Sequence, residues 1–101
     1  MSLFDSSPMA VTIGHVVYFP DPEAYQRGEP NAQAALLAHE LTHVKQWEEK
    51  GTVGFLKEYF QEYLRTQRQG VDTHDPQRGI SLEREAISVE REIYNELIGV
   101  K

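Results

Sequence analysis

The stretch LLAHELTHVKQW, residues 36–47, contains two histidines four positions apart, with a glutamate directly after the first of them. It lies in a segment that is rich in Ala and Leu and free of Gly and Pro, so we expect a helix that begins near residue 32 and ends at Gly51. Residues four apart share one face of a helix. His39 and His43 can therefore direct one ring nitrogen each at a common point.

Two imidazoles with a neighbouring carboxylate form the arrangement that metal-dependent hydrolysis requires. Zinc lowers the pKa of a bound water molecule, and a nearby carboxylate takes the proton. We therefore predict that His39 and His43 bind Zn²⁺ and that Glu40 is the general base. A catalytic zinc usually has three protein ligands, so a third ligand is needed. Residue 49 is Glu, which excludes the longer motif with a third histidine at that position.

The composition limits the number of domains, the type of binding partner and the side chains that can bind a metal. The 101 residues allow one domain, which we predict to span residues 1–101 with a flexible tail at residues 1–9. The net charge of -6 argues against nucleic acid or an anionic membrane as a partner. Because the chain has no cysteine, a metal must bind to His, Asp or Glu side chains.

The first residues, MSLFDSSPMA, lack the basic start and the long apolar run of a secretory signal peptide. No apolar run in the sequence is long enough to span a bilayer. These features predict a cytoplasmic location and leave open export by a non-classical route.

The remaining segments predict an α+β fold with a short strand or hairpin followed by three helices. AVTIGHVVYF, residues 10–19, is rich in β-branched and aromatic residues and predicts a strand or a hairpin bent near Gly14. Residues 20–30 contain three prolines and predict a loop with at most one helical turn. Helical spacing of apolar residues predicts two further helices, at residues 53–68 and 81–98.

Each predicted helix has an apolar stripe. The stripes comprise Leu37, Leu41 and Val44 in the first helix, Leu56, Tyr59, Phe60, Tyr63 and Leu64 in the second, and Leu82, Ala86, Val89, Ile93 and Leu97 in the third. The candidates for the third metal ligand are His15, His74, Glu83, Glu85 and Glu90. The three glutamates lie at the borders of the last stripe, where a side chain can reach partly into the core, whereas Glu92 points away.

Two segments resemble a known family. VTIGHVVYF, followed by a loop with Pro and Gly and then by LLAHELTHVKQW, resembles the DUF4157 group of metallopeptidase-like proteins, whose pattern is similar to T-x-G-x-x-I-Y-F followed by L-L-A-H-E-L-T-H-V-x-Q. LEREA, residues 82–86, resembles their L-E-x-E-A-D segment. The whole chain also looks like a minigluzincin, a minimal zincin-like (gluzincin) peptidase domain. The resemblance covers residues 10–50 and 81–90.

The resemblance implies a set of site residues. His39, His43 and Glu83 would be the zinc ligands, with Glu83 assigned as the residue three before the alanine of the later segment. Glu40 would be the general base. Glu85 is the runner-up ligand, because Glu85 to Ser88 also resembles the thermolysin form E-A-I-S-D.

One position departs from the family pattern. Ile87 stands where the group has an aspartate, and such an aspartate usually orients a ligand histidine. Another carboxylate or a backbone carbonyl would have to take over this task.

Peptide-bond hydrolysis is the activity that the resemblance implies, with an extended peptide or protein substrate pairing with the strand VTIGHVVYF. Zinc would polarise the carbonyl group of the substrate. A second electrophile that assists it is predicted among His74, Tyr94 and Tyr59. The alternative is a catalytically weak or inactive, zinc-stabilised interaction module. A domain of a larger toxin or phage-related protein is a third interpretation, and the sequence predicts no oligomeric state.

Overall fold

The computed structural model describes residues 9–99 and confirms the predicted α+β class, with a short hairpin ahead of the helices. The elements follow in the order of two strands and three helices. Of the tail predicted at residues 1–9, Met9 lies among the described residues and is exposed, while the remainder lies outside them.

The hairpin consists of β1 (Val11–Ile13) and β2 (Val16–Tyr18), which pair antiparallel with Ile13 opposite Val16. Gly14 has a φ of 61° at the first position of the two-residue turn. A type II′ turn requires a positive φ at this position, and glycine adopts it without strain. The bend predicted near Gly14 is therefore the turn of the hairpin.

The helices are α1 (Pro22–Gln26), α2 (Pro30–Gln69) and α3 (Ser81–Leu97). Gly51 interrupts α2 with a φ of 72° and a ψ of 168°, so α2 has a first arm, residues 30–50, and a second arm, residues 52–69. The two arms correspond to the helices predicted on either side of Gly51, and α1 is the single turn predicted in the loop. Within residues 9–99, no helix combines the length and the apolar character needed to cross a membrane.

A cluster of aromatic and aliphatic side chains joins the two arms of α2 to α3. Trp47 of the first arm stacks on Phe55 of the second arm, with 4.1 Å between the ring centroids. Phe55 in turn stacks on Tyr59 at 5.8 Å, and Ile80 and Leu82 at the start of α3 complete the cluster. Because the aromatic stack crosses the break between the arms, it holds them at a defined angle.

Five of the nine buried residues of α2 are polar, and Tyr59 is the one residue among them that belongs to the apolar stripes predicted for the two arms. Leu41 is 53% exposed, and Leu37, Leu56, Phe60 and Leu64 are exposed as well. The buried residues of α2 are Ala35, His39, Glu40, His43, Gln46, Trp47, Phe55, Tyr59 and Thr66. The hairpin and α3 pack on the face with the ionisable side chains, where polar groups that bond to one another form part of the core.

Candidate metal centre

His39, His43 and Glu83 converge where α3 packs against α2. The Nε2 atoms of His39 and His43 each lie 3.2 Å from the same oxygen, Glu83 Oε1. One ligand atom from each residue lies within 4.8 Å of the other two, and all three side chains are buried. The structure therefore brings together the three residues predicted from the sequence as metal ligands, in a group that is compatible with a metal ion. We call these three residues the donor group.

Three helical segments hold the donor group. The spacing of four residues puts both imidazoles on the inward face of the first arm of α2, with 5.0 Å between the ring centroids of His39 and His43. Glu83 lies in the first turn of α3, and its Oε2 accepts a hydrogen bond of 2.9 Å from the hydroxyl group of Tyr59 in the second arm. Tyr59, a predicted electrophile, therefore uses its hydroxyl group to orient a carboxylate of the donor group.

Gln46 fixes the tautomer of His43. Its amide nitrogen donates to the carbonyl oxygen of Leu82 at 3.0 Å and to Glu85 Oε1 at 2.6 Å. The amide oxygen therefore faces His43, whose Nδ1–H donates to it at 2.8 Å. With the proton on Nδ1 held by Gln46, Nε2 is the nitrogen that faces the donor group and is available to a metal ion. Glu85, the runner-up ligand, lies outside the donor group and supports it through Gln46.

His39 has the corresponding contact with a carboxylate of α3. Its Nδ1–H donates to Glu90 Oε1 at 2.7 Å, while its Nε2 faces Glu83. Glu90 lies two helical turns after Glu83, on the same face of α3. Ile87 occupies the position where the family resemblance would have an aspartate, and the carboxylate contact to His39 comes from Glu90 instead.

Glu40 is fully buried beside the donor group. Its Oε2 lies 3.9 Å from Nε2 of His39, and its Oε1 accepts a hydrogen bond of 2.8 Å from the hydroxyl group of Thr12. Thr12 belongs to β1, and its hydroxyl group also lies 3.3 Å from the main-chain oxygen of Glu40. The hairpin therefore fixes the carboxylate of the predicted general base next to the donor group.

The charge of the donor group favours the binding of a cation. Burial alone would raise the pKa of Glu83, but the hydrogen bonds from His39 and His43 outweigh it and hold this pKa far below its ordinary value. The ionised carboxylate of Glu83 is fully buried, so a positive charge must compensate it. Burial lowers the pKa of His39, but the hydrogen bonds with Glu83 and Glu90 raise it above its ordinary value, so its protonated form can supply this charge, and a metal ion can supply it instead. Two imidazole nitrogens and a carboxylate oxygen are ligands that suit zinc.

Three more residues were predicted from the sequence as metal ligands or electrophiles, and they lie outside the donor group. His74, in the loop before α3, has its Nε2 3.9 Å from Glu83 Oε1, and its side chain is 27% exposed. Tyr94 lies farther along α3, where it lines a surface cavity between α2 and α3. His15 is exposed on the hairpin turn, with its Nε2 3.7 Å from Glu48. Of the three predicted electrophiles, His74 is therefore the one at the solvent edge of the donor group.

Comparison with known proteins gives one family match. Residues 6–51 match the model of a family described as the eCIS core domain. The matched part contains the hairpin and His39, Glu40 and His43 of α2, and it ends before Glu83. This family is related to the DUF4157 group that the strand and helix segments resemble. No curated protein and no solved structure matches the chain.

Thr12, Gln46 and Glu90 take part in the site, although the histidine spacing does not indicate them. Two of them occupy positions of the family patterns that the sequence resembles. Thr12 is the threonine of the T-x-G strand pattern, and Gln46 is the glutamine of the H-E-L-T-H-V-x-Q pattern. Glu90 had a weaker signal, its position at the border of the apolar stripe of α3, and it shared this border with Glu83.

Proposed function

We propose that the protein is a zinc-dependent metallopeptidase. Its zinc ligands are His39, His43 and Glu83, and its general base is Glu40. The main support is the position of Glu40, a buried carboxylate that Thr12 fixes beside the donor group. A metal site that served stability alone would have no use for a base at this position. Zinc bound by these residues would supply a Lewis acid that polarises a carbonyl group and acidifies a water molecule.

Glu40 is suited to transfer the proton. Thr12 holds Oε1 of the carboxylate, and Oε2 lies 3.9 Å from Nε2 of His39, on the side of the donor group. Oε2 can accept a proton from the water molecule that attacks a peptide carbonyl, and it can pass this proton to the leaving amine nitrogen. We assign to His74 the donation of a hydrogen bond to the carbonyl oxygen as that oxygen gains negative charge.

An extended peptide or protein segment is the proposed substrate. β1 lies next to the catalytic carboxylate through the contact between Thr12 and Glu40. The sheet has two strands, so among residues 9–99 the outer edge of β1 has no strand partner. An extended peptide can pair with such an edge through main-chain hydrogen bonds. The net charge of -6 supports a polypeptide substrate over nucleic acid.

A zinc-stabilised interaction module with little or no hydrolytic activity is the second candidate. Two observations favour it: Glu40 and the donor group are all buried, and His74 Nε2 lies 3.9 Å from Glu83 Oε1. A shift of the loop would make His74 a fourth ligand, and four protein ligands close a zinc site, whereas three leave a position for water. X-ray absorption spectroscopy of the zinc-loaded protein distinguishes three protein ligands from four.

Replacing Glu40 by Gln is expected to abolish peptide hydrolysis and to leave zinc bound. Glutamine still accepts the hydrogen bond from Thr12 but cannot accept a proton, and loss of a general base lowers the rate by about 10²–10⁴-fold. The measurement is cleavage of an unfolded protein and of a peptide mixture, read by mass spectrometry, with zinc content determined on the same samples.

Glu49→Gln is the matched control for this experiment, because Glu49 is an exposed glutamate on the same arm of α2. The control should cleave like the wild type. Cleavage by Glu40→Gln at the wild-type rate would show that Glu40 is not the base. A wild-type protein that binds zinc through four protein ligands and cleaves none of the substrates would support the second candidate.

Zinc affinity is expected to fall as the pH is lowered, because protons compete with the metal for His39. Burial lowers the pKa of His39, but the hydrogen bonds with Glu83 and Glu90 raise it above its ordinary value of 6.5, so competition begins above that pH. Glu83 has a depressed pKa, stays ionised over the same range and adds no pH dependence.

Below the pKa of His39, the affinity should fall about tenfold per pH unit for each proton displaced. Competition with a chromophoric chelator from about pH 5.5 to about pH 8.5 measures this slope. An affinity that stays constant over the whole range would contradict the expectation.

A further inference from the structure

Glu90 makes a shorter hydrogen bond to His39 than Glu83 does. The distance is 2.7 Å from Nδ1 to Glu90 Oε1, against 3.2 Å from Nε2 to Glu83 Oε1. Nδ1 lies on the far side of the imidazole from the donor group, so Glu90 is not itself a ligand of the same ion. His39 is buried, whereas the side chain of Glu90 is 36% exposed and lines the surface cavity that Tyr94 also lines. Glu90 therefore links a buried, metal-facing ring to the protein surface.

We infer that Glu90 is a positioning residue of the metal centre, which holds the His39 ring so that Nε2 faces the metal. This inference rests on the proposed zinc site. A carboxylate that accepts from Nδ1–H fixes the tautomer with a free lone pair on Nε2, fixes the orientation of the ring and makes the imidazole a stronger ligand.

Both nitrogens of His39 are engaged by the same helix. Glu83 and Glu90 lie two turns apart on one face of α3, and the His39 ring lies between their carboxylates. The ring cannot turn over without the loss of both contacts. A displacement of α3 along α2 would move Glu83 and Glu90 together, so the position of α3 sets the orientation of His39.

The two histidines differ in the support they receive. His43 donates to Gln46, a neutral amide that Leu82 and Glu85 hold in place, so its acceptor keeps its orientation independently of the ring. His39 donates to a charged acceptor, and a hydrogen bond with one ionised partner is about twice as strong as a neutral one. The orientation of His39 should therefore depend more on its hydrogen-bond partner than the orientation of His43 does.

The test is zinc affinity of the full chain with Glu90 replaced by Gln and, separately, by Ala. We expect an affinity about 10–100-fold weaker than that of the wild type. Glu92→Gln is the matched control, because Glu92 is an exposed glutamate on α3, and it should bind zinc like the wild type. Circular dichroism verifies that each variant is folded, which the partial exposure of Glu90 favours. A merely structural role would lower the melting temperature of the metal-free variants and leave the zinc affinity unchanged.

A second measurement needs no variant. In the zinc-loaded wild type, nitrogen-15 NMR of the histidine rings should show His39 bound to zinc through Nε2, with a proton on Nδ1 in a strong hydrogen bond. Binding through Nδ1, or wild-type affinity in both Glu90 variants, would overturn the inference while the zinc site stands. A wild-type protein that binds no zinc would overturn the proposed function and this inference together.

Discussion

Replacing Glu83 by Gln is expected to remove zinc from the purified protein, whereas the same change at Glu85 leaves it bound. Glu83 Oε1 lies 3.2 Å from Nε2 of both His39 and His43, while Glu85 accepts a hydrogen bond from Gln46 and lies outside the donor group. Loss of a ligand should weaken zinc binding by more than about 100-fold, the upper end of the cost of losing an outer hydrogen-bond partner. Elemental analysis after dialysis against zinc measures the metal content.

Glutamine is chosen over alanine because Glu83 is fully buried and alanine would leave a cavity. The glutamine side chain would still accept the hydrogen bond from Tyr59, so Glu83→Gln should fold in the metal-free state. Equal zinc content in Glu83→Gln and the wild type would remove Glu83 from the ligand set. Loss of zinc from Glu85→Gln alone would assign the third ligand to Glu85.

The helix that contains the two histidines and Glu40 could be predicted because the pattern that indicates it is local. His39, Glu40 and His43 lie within two turns of one helix, so their spacing alone puts both imidazoles on one face. Gly51 and Gly14 likewise indicated a helix break and a hairpin turn, because their positive φ values are a property of single residues. These predictions depend on a few neighbouring positions and need no knowledge of packing.

The buried face of α2 could not be predicted in the same way. Helical spacing of Leu56, Phe60 and Leu64 indicates a helix, but it does not say which element packs on it, and all three are exposed. The core contains Gln46 and Glu83 instead. Their burial is tolerated because partners distant in sequence satisfy them, and an apolar pattern does not contain that information.

The outer contacts of the site were missed for the same reason. Glu90 is 51 residues from His39 in the chain, and Thr12 is 28 residues from Glu40. Each contact depends on how the hairpin or α3 packs against α2. The family pattern contained Thr12 without assigning it a role, and the structure gives it one, because its hydroxyl group holds the carboxylate of Glu40.

Zinc is expected to raise the melting temperature of the protein by about 10–20 °C when its free concentration reaches about 100 times the dissociation constant. Binding to the folded state alone contributes about 2.7 kcal/mol at that concentration, and each kcal/mol shifts the melting temperature of a domain of about 100 residues by about 4–8 °C. The physical reason is that His39, His43 and Glu83 come together only when α3 packs against α2, so the unfolded chain offers no comparable site.

Two controls test whether this shift in melting temperature comes from zinc bound at the donor group. Glu83→Gln should show little stabilisation by zinc, because it lacks the carboxylate ligand. Magnesium should stabilise the wild type little, since it prefers oxygen ligands to imidazole. Differential scanning calorimetry of the metal-free and zinc-loaded proteins measures the shift. An equal shift in Glu83→Gln, or with magnesium at the same concentration, would mean that the stabilising ion binds elsewhere, and the α2–α3 interface would then have to be stable without it.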